Sequence, residues 1–535
     1  MVSLSRRGVG LVLGPTGYAL VRLFPPTGLD AAGAAALACT LWVAVWWLTE
    51  TAPIAVTALL PVVLFPVSGV TDAAATAAAY ADPVTFLFLG GFLVALAVER
   101  WGLHRRIAVS VVRALGDDPR RLLGGFMLAT ASLSMWVSNT ATAMLMVPIA
   151  LSVVGTPGDA PPDYRAADAT RFPTDDAASS SGASPSAASS SGASPSAASS
   201  SGASPSAASS SVPPAPESSA FGTALVLGVA YAASIGGVAT LIGTPPNAIL
   251  AAVVERSLGV RLDFVRWMLF GVPFAAVFLV AAWGALSAMF AVGDADATFD
   301  AADATGPADE SGEFGALSTP ERRVLVVFSL VVAGWLTRPF LVDPYVAGVT
   351  DGAIAVAGAT LLFLVPNGVE EGALLSWDDA TRLPWEVLLV FGGGFAIADA
   401  FQTTALDAWV GASLGGVAGL APVLTLLVVA TLVVFLTEVT SNSATASLFV
   451  PLAVGVAASF AVAPLVLATV VAVAASLAFM LPVATPPNAV VFGTGYVTVP
   501  EMARAGLVLN LLGVVLLAVA AVVWLPVVWG VSVVP

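Results

Sequence analysis

Apolar stretches of about twenty residues recur along this 535-residue chain, separated by polar turns. Nothing constrains its fold more. A run of that length crosses the ~30 Å hydrocarbon layer as a helix, and only a helix or a closed barrel satisfies its own backbone there. Runs at 8–24, 31–49, 53–70, 83–99, 267–291, 322–342, 346–365, 385–401 and 505–530 suit one crossing each. Hydrophobic residues make up 58% of the chain and charged residues 10%, against roughly 25% charged in an average globular protein. Mean hydropathy is +0.94. A soluble chain could not hide that much apolar surface. The expectation is an all-α polytopic membrane protein with about 11 transmembrane helices.

Arg6 and Arg7 precede the first run. No small-residue cleavage site followed by a polar domain comes after it, so it reads as a retained span and not as a signal peptide. Four other segments, 121–154, 221–253, 418–458 and 463–495, are too long for one crossing and too short for two. Each has a polar or Pro/Gly-rich centre, which predicts re-entrant helical hairpins and broken helices.

Composition also excludes chemistry. Cys39 and His104 are the only residues of their kinds, so intrachain disulfides, Cys/His zinc sites and Ser-His-Asp catalysis lack their parts. No catalytic residues and no cofactor are expected. His104 lies in what reads as a basic interfacial loop. The 34 acidic and 19 basic residues leave a net charge of −15, which argues against nucleic acid as a partner. Every basic residue is arginine, and an acidic, lysine-free composition resembles that of extreme halophiles.

Between 155 and 220 the chain turns polar, and Ala-Ala-Ser-Ser-Ser-Gly-Ala-Ser-Pro-Ser repeats three times from 177 to 206. Such a segment cannot offset its conformational entropy by burial and is expected to be disordered. A second polar loop at 292–320 carries seven acids and no arginine. With the N-terminus cytoplasmic and the C-terminus outside, fourteen of the 19 arginines fall on the cytoplasmic side, as the positive-inside rule requires.

The chain repeats itself. Residues 138–150 read SNTATAMLMVPIA and residues 441–453 read SNSATASLFVPLA; nine of thirteen match at an offset of 303. The same offset aligns Gly90-Gly91-Phe92 with Gly393-Gly394-Phe395 and Leu103 with Leu406. Gly243-Thr-Pro-Pro-Asn-Ala248 is matched by Ala484-Thr-Pro-Pro-Asn-Ala489. With the insert removed, both halves share one layout. The arginine-based orientation gives them opposite senses, the mark of an inverted-topology repeat around a central transport site.

Buried Ser-Asn clusters cost several kcal/mol in lipid unless paired. Hairpin tips leave backbone N–H and C=O groups free. Helix N-termini, hydroxyls and amide N–H groups attract the oxygens of carboxylates or sulfate. Carbonyls freed by the Thr-Pro breaks suit a hard cation such as sodium.

These motifs, with Trp46-Trp-Leu-Thr-Glu-Thr-Ala-Pro53 and Pro384-Trp-Glu-Val followed by Phe391-Gly-Gly-Gly394, resemble the divalent anion:sodium symporter family over nearly the whole chain outside the insert. The resemblance implies a dimeric scaffold, an elevator movement and two sodium sites. It implies that Ser138, Asn139, Thr140, Thr244, Ser441, Asn442, Ser443 and Thr485 bind substrate. Sodium would be held by Ser134, Ser138, Asn139 and Gly243 in one site, and by Thr437, Thr440, Asn442 and Ala484 in the other. Ser443 stands where the family usually has threonine and keeps the hydroxyl.

The implied organisation is scaffold helices at 1–82, a first repeat with a cytoplasmic-side hairpin at 83–154, the insert at 155–220, and a broken helix with the following span at 221–291. The acidic loop at 292–320, further scaffold at 321–384 and the second repeat at 385–535 complete it. Expected partners are a small divalent anion, sodium, the lipid bilayer and a second copy of the chain, in the plasma membrane. The leading expectation is sodium-coupled import of dicarboxylates. Sulfate or proton-coupled transport on the same fold, a membrane sensor and an intramembrane enzyme are the alternatives. Glu50 and Glu438 are acids in apolar surroundings, expected to make structural hydrogen bonds, and Trp46 and Trp47 are expected near the membrane interface.

Overall fold

The computed structural model describes residues 6–113, 118–154, 220–292, 316–346, 348–413 and 420–534, all in one packed unit. The insert expected to be disordered lies outside the described residues except for Ala220, as does most of the acidic loop.

The described chain is helical, and its only β pairing is a single bridge between Pro366 and Ala373. The first half opens with α1 (Arg6–Leu23), α2 (Ala31–Thr49), α3 (Ile54–Ala58), α4 (Leu60–Ser68) and α5 (Ala73–Ala78). It continues through α6 (Pro83–Arg100), α7 (Leu103–Arg113), α8 (Pro119–Ser134), α9 (Asn139–Val154), α10 (Ala220–Val238), α11 (Pro245–Leu258) and α12 (Phe264–Met289). Then follow α13 (Thr319–Thr337), α14 (Asp351–Leu364), α15 (Trp377–Ala380), α16 (Trp385–Thr403), α17 (Leu406–Ser413) and α18 (Pro422–Thr437). The last are α19 (Asn442–Val456), α20 (Pro464–Ala474), α21 (Pro486–Gly493), α22 (Val499–Val519) and α23 (Leu525–Trp529).

Among the described residues eight helices are long and apolar enough to cross a membrane. Others are shorter or carry charge. Helices α9, α14, α18 and α20, and the α3–α4 stretch, are apolar but only 10–17 residues long. Helix α1 carries Arg6, Arg7 and Arg22. Exposed Val277, Val280, Leu330 and Val527 give the long helices an apolar exterior, as a lipid-facing surface requires. This is a multi-pass membrane protein.

The 303-residue repeat reaches the helix boundaries. Helices α8 and α18 begin at Pro119 and Pro422 and end at Ser134 and Thr437. Helices α9 and α19 begin at Asn139 and Asn442. Proline opens α8 and α18 because its missing N–H is one the first turn leaves unpaired anyway. Asp118 adds a cap by accepting the N–H of Arg121 at 2.9 Å. Close packing repeats as well. A Cβ on Gly90 would lie 2.5 Å from the Ala355 carbonyl carbon, and one on Gly393 2.6 Å from Ala58 O. Only glycine lets α6 reach α14, and α16 reach α3.

The halves interlock around the middle of the molecule. Helix α11 packs on α19 and α20, and α21 packs on α9 and α10, so each half's hairpin lies against the other half's broken helix. At the end of α11, Arg256 holds Asp82 at 2.8 Å and Asp399 at 2.6 Å. Arg338 is 1% exposed and meets Asp351 at 2.6 Å, Asp343 at 2.8 Å and Asp263 at 3.8 Å.

Several local expectations change. The basic loop around His104 is helix α7, and His104 is buried with Nδ1 3.1 Å from Val98 O. The indole N–H groups of half-buried Trp46 and buried Trp47 donate to Gly10 O (3.1 Å) and Ile54 O (3.2 Å). Glu50 is exposed and closes α2 in the left-handed conformation, φ 50°.

Candidate functional site

Each hairpin is two antiparallel-reading helices joined by four residues, 135–138 in one half and 438–441 in the other. The last helical residue before each turn carries a buried hydroxyl, Ser134 or Thr437, and the first after it is the asparagine. Ser134 Oγ donates to Ala233 O at 2.7 Å and lies 2.6 Å from the Asn139 amide. Thr437 Oγ1 donates to Asn442 Oδ1 at 2.8 Å and Ala475 O at 2.9 Å. The two constellations are built alike: a hydroxyl, an amide and a carbonyl from the partner helix α10 or the end of α20.

In the first half a fourth oxygen joins. One end of the Asn139 amide faces Ser134 Oγ, Ala233 O and Gly243 O. With its nitrogen there it donates to them at 2.6, 3.1 and 3.3 Å. With its oxygen there, four oxygens converge on one small space, and a cation is what would hold them together. A Cβ on Gly237 would come within 2.7 Å of Asn139 Oδ1 and 3.0 Å of Gly243 O, so the space exists because residue 237 has no side chain.

The broken helices supply the other wall. Thr244 and Thr485 are buried and extended (φ −146° and −141°), directly before Pro-Pro and the start of α11 or α21. Asn247 Nδ2 donates to Gly237 O, Val238 O and Thr240 O, at 3.2, 3.3 and 2.7 Å. Asn488 Nδ2 donates to Ala478 O and Leu481 O, at 3.3 and 3.0 Å. Both side chains are fully buried and leave their amide oxygens without a described partner. They hold the unwound loops in shape, since an extended stretch inside the protein has no helix to do so.

Of the sequence-predicted residues, Ser134, Asn139 and Gly243 come together, as do Thr437 and Asn442. Thr440 does not join Asn442 directly; its hydroxyl bonds Leu436 O (2.9 Å) and Thr445 Oγ1 (2.7 Å). Ala484 N donates to Leu481 O at 3.1 Å. Ser138 is exposed and its Oγ accepts the Ala141 N–H at 3.2 Å. Thr140, Ser441, Asn442 and Ser443 are half-buried. These tip groups, beside the N-termini of α9 and α19, can donate to an anion. Sequence reasoning missed the carbonyls of Ala233 and Ala475, because a backbone oxygen has no residue signature. It also left Asn247 and Asn488 without a role, although their place in the repeated motif was the signal. A separate small cavity beside Arg338 and Asp351, lined also by Leu87 and Leu241, includes none of the hairpin residues.

Residues 16–531 match the family model described as the sodium:sulfate symporter transmembrane region. The chain is 38% identical over 531 residues to the sodium-dependent dicarboxylate transporter SdcS of Staphylococcus saprophyticus, covering 98% of this chain and 92% of that one. It is 35% identical over 530 residues to SdcS of Staphylococcus aureus, with the same coverage. Among solved structures, the YdaH transporter of Alcanivorax borkumensis superposes with a TM-score of 0.54 at 15% identity, covering 99% of this chain and 100% of that chain. The Neisseria gonorrhoeae MtrF structure gives 0.51 at 12% identity, covering 83% and 82%. At these identities the two structures speak to the fold alone.

Proposed function

The chain belongs to the sodium:sulfate symporter family and is a membrane transporter, not an enzyme, and from that premise we propose that it imports dicarboxylates or related divalent anions together with sodium. The observation that carries the reading is the convergence of the Ser134 hydroxyl, the Asn139 amide and the Ala233 and Gly243 carbonyls, with its counterpart at Thr437, Asn442 and Ala475. Neutral oxygen ligands suit a hard monovalent cation. Hydroxyls and amides at helix N-termini suit an anion that must be released again. The dicarboxylate names of the relatives support that substrate class.

In this reading sodium is a transported coupling ion. Asn139 and Asn442 stand between ion and anion, so each ion prepares one wall of the anion site. Ser138, Thr140, Ser441, Ser443, Thr244 and Thr485 complete it. The two halves alternate exposure by an elevator movement within a homodimer in the plasma membrane, with the N-terminus cytoplasmic and the C-terminus outside.

Uptake by purified protein in liposomes tests this. Labelled succinate, malate, citrate and sulfate are offered with sodium or proton gradients applied separately. Dicarboxylate uptake that rises steeply with external sodium, and persists when the proton gradient is collapsed, is the expected result. Full activity in sodium-free medium under a pH gradient overturns it.

A further inference from the structure

Glu438 follows directly on Thr437 and is 3% exposed. Its Oε1 accepts from the N–H of Phe479 (2.7 Å), the N–H of Met480 (2.9 Å) and Asn510 Nδ2 (2.7 Å). Its Oε2 accepts from Met480 N and Leu481 N, both at 3.1 Å. All five bonds come from N–H donors, the arrangement a carboxylate requires, and none of these partners is cationic.

The donors explain why an acid is there. The repeated Thr-Pro-Pro-Asn motif pairs Phe479 with Val238. Helix α10 runs to Val238, but α20 stops at Ala474. Pro482 disfavours helix in the residue before it. The N–H groups of 479–481 therefore lose helical acceptors, and a buried N–H left unpaired is costly. The carboxylate takes all three.

The first half has less to hold, since Val238 is still helical and Ala239 N donates to Gly236 O at 2.9 Å. Met135 occupies the position matching Glu438 at the 303 offset. Its link to the loop is one neutral bond, from the Thr240 hydroxyl to Met135 O at 2.5 Å. The two ion constellations are thus alike in ligands and unlike in charge. The loop that Glu438 holds is the one that shapes the second constellation. Ala475 O takes the Thr437 hydroxyl, and Ala478 O and Leu481 O hold Asn488.

We propose that Glu438 is the positioning residue of the second sodium site: it fixes loop 475–485 in its ion-ready form and places an uncompensated negative charge beside it, so that sodium fills the Thr437–Asn442 site before the Ser134–Asn139 site. This rests on the sodium reading above. A unit charge on the residue next to Thr437, in partly polar protein, favours a cation by about tenfold or more. Sodium binding is therefore ordered, although the two halves repeat one ligand set.

The test is equilibrium binding of radioactive sodium to the purified full-length protein with no anion present. The wild type should bind in two phases about tenfold apart in affinity. Asn442→Ala should remove the tight phase and Asn139→Ala the weak one. Glu438→Gln should weaken the tight phase about tenfold and leave the weak phase in place, while Glu438→Asp restores it in part. Should Glu438→Gln fail to give monodisperse protein, Asn510→Ala keeps the charge, removes one of its donors, and should shift only the tight phase, by a few-fold. An unchanged tight phase in either variant, or its loss in Asn139→Ala, overturns the order. If Asn139→Ala and Asn442→Ala both leave the isotherm intact, the sodium sites themselves are wrong, and the result is distinct from failure of the Glu438 role alone.

Discussion

Asn139 and Asn442 each meet a buried hydroxyl on one side and open a helix on the other. Replacing either with alanine removes contacts worth about 1.5–3 kcal/mol where a charged ligand is involved. Asn139→Ala and Asn442→Ala should stay folded and lower kcat/KM for uptake by about ten- to a hundredfold. Normal rate and affinity in either variant would exclude that hairpin from the site. His104 offers a test of a different kind. Burial pushes its imidazole below the ordinary value of 6.5, helped by neighbouring Arg105 and opposed by its bond to Val98 O. The folded state thus prefers the neutral ring, so its contribution to stability is complete above pH 6.5 and is lost as pH falls through the lowered value. Thermal melts from pH 7.5 to 5.5 should show the wild type losing stability in that window, and His104→Gln losing less. Parallel melting curves would dismiss the effect.

At the scale of elements, the Arg338 cluster joins the end of α13 to the starts of α12 and α14. Arg338→Met leaves Asp351, 8% exposed, without its cation, a loss of about 3–5 kcal/mol for a broken buried pair. A clear drop in melting temperature is expected from it. Asp343→Asn, at a carboxylate that is 41% exposed, should cost about 1 kcal/mol or less. Equal losses in both would mean that the cluster is not held from inside. The hairpins were legible because Ser-Asn interrupts an apolar run twice at one spacing. Helix α7 was not, since Leu-His-Arg-Arg in eleven residues reads as a basic loop until packing buries Leu103 and His104. The partners of Glu438 were hidden for another reason. They are backbone N–H groups more than forty residues away, and a helix that stops early leaves no mark beyond Pro482.

For the whole molecule, the family match spans residues 16–531, while the low-complexity insert stands outside the repeat. Deleting 177–211 should leave expression, sodium dependence and uptake rate unchanged; a well-expressed but inactive deletion would give that segment a part in gating. The matching helix ends of the two halves have a further use. Helices α8 and α18 start and stop 303 residues apart, and α9 and α19 start at the same interval, so every substitution in one hairpin has a mate in the other. An experimenter can therefore make each change singly and as a pair within one chain, on the same lipid and the same gradient. A defect seen in one mate and absent from the other then measures what the two halves do differently, without reference to any second protein.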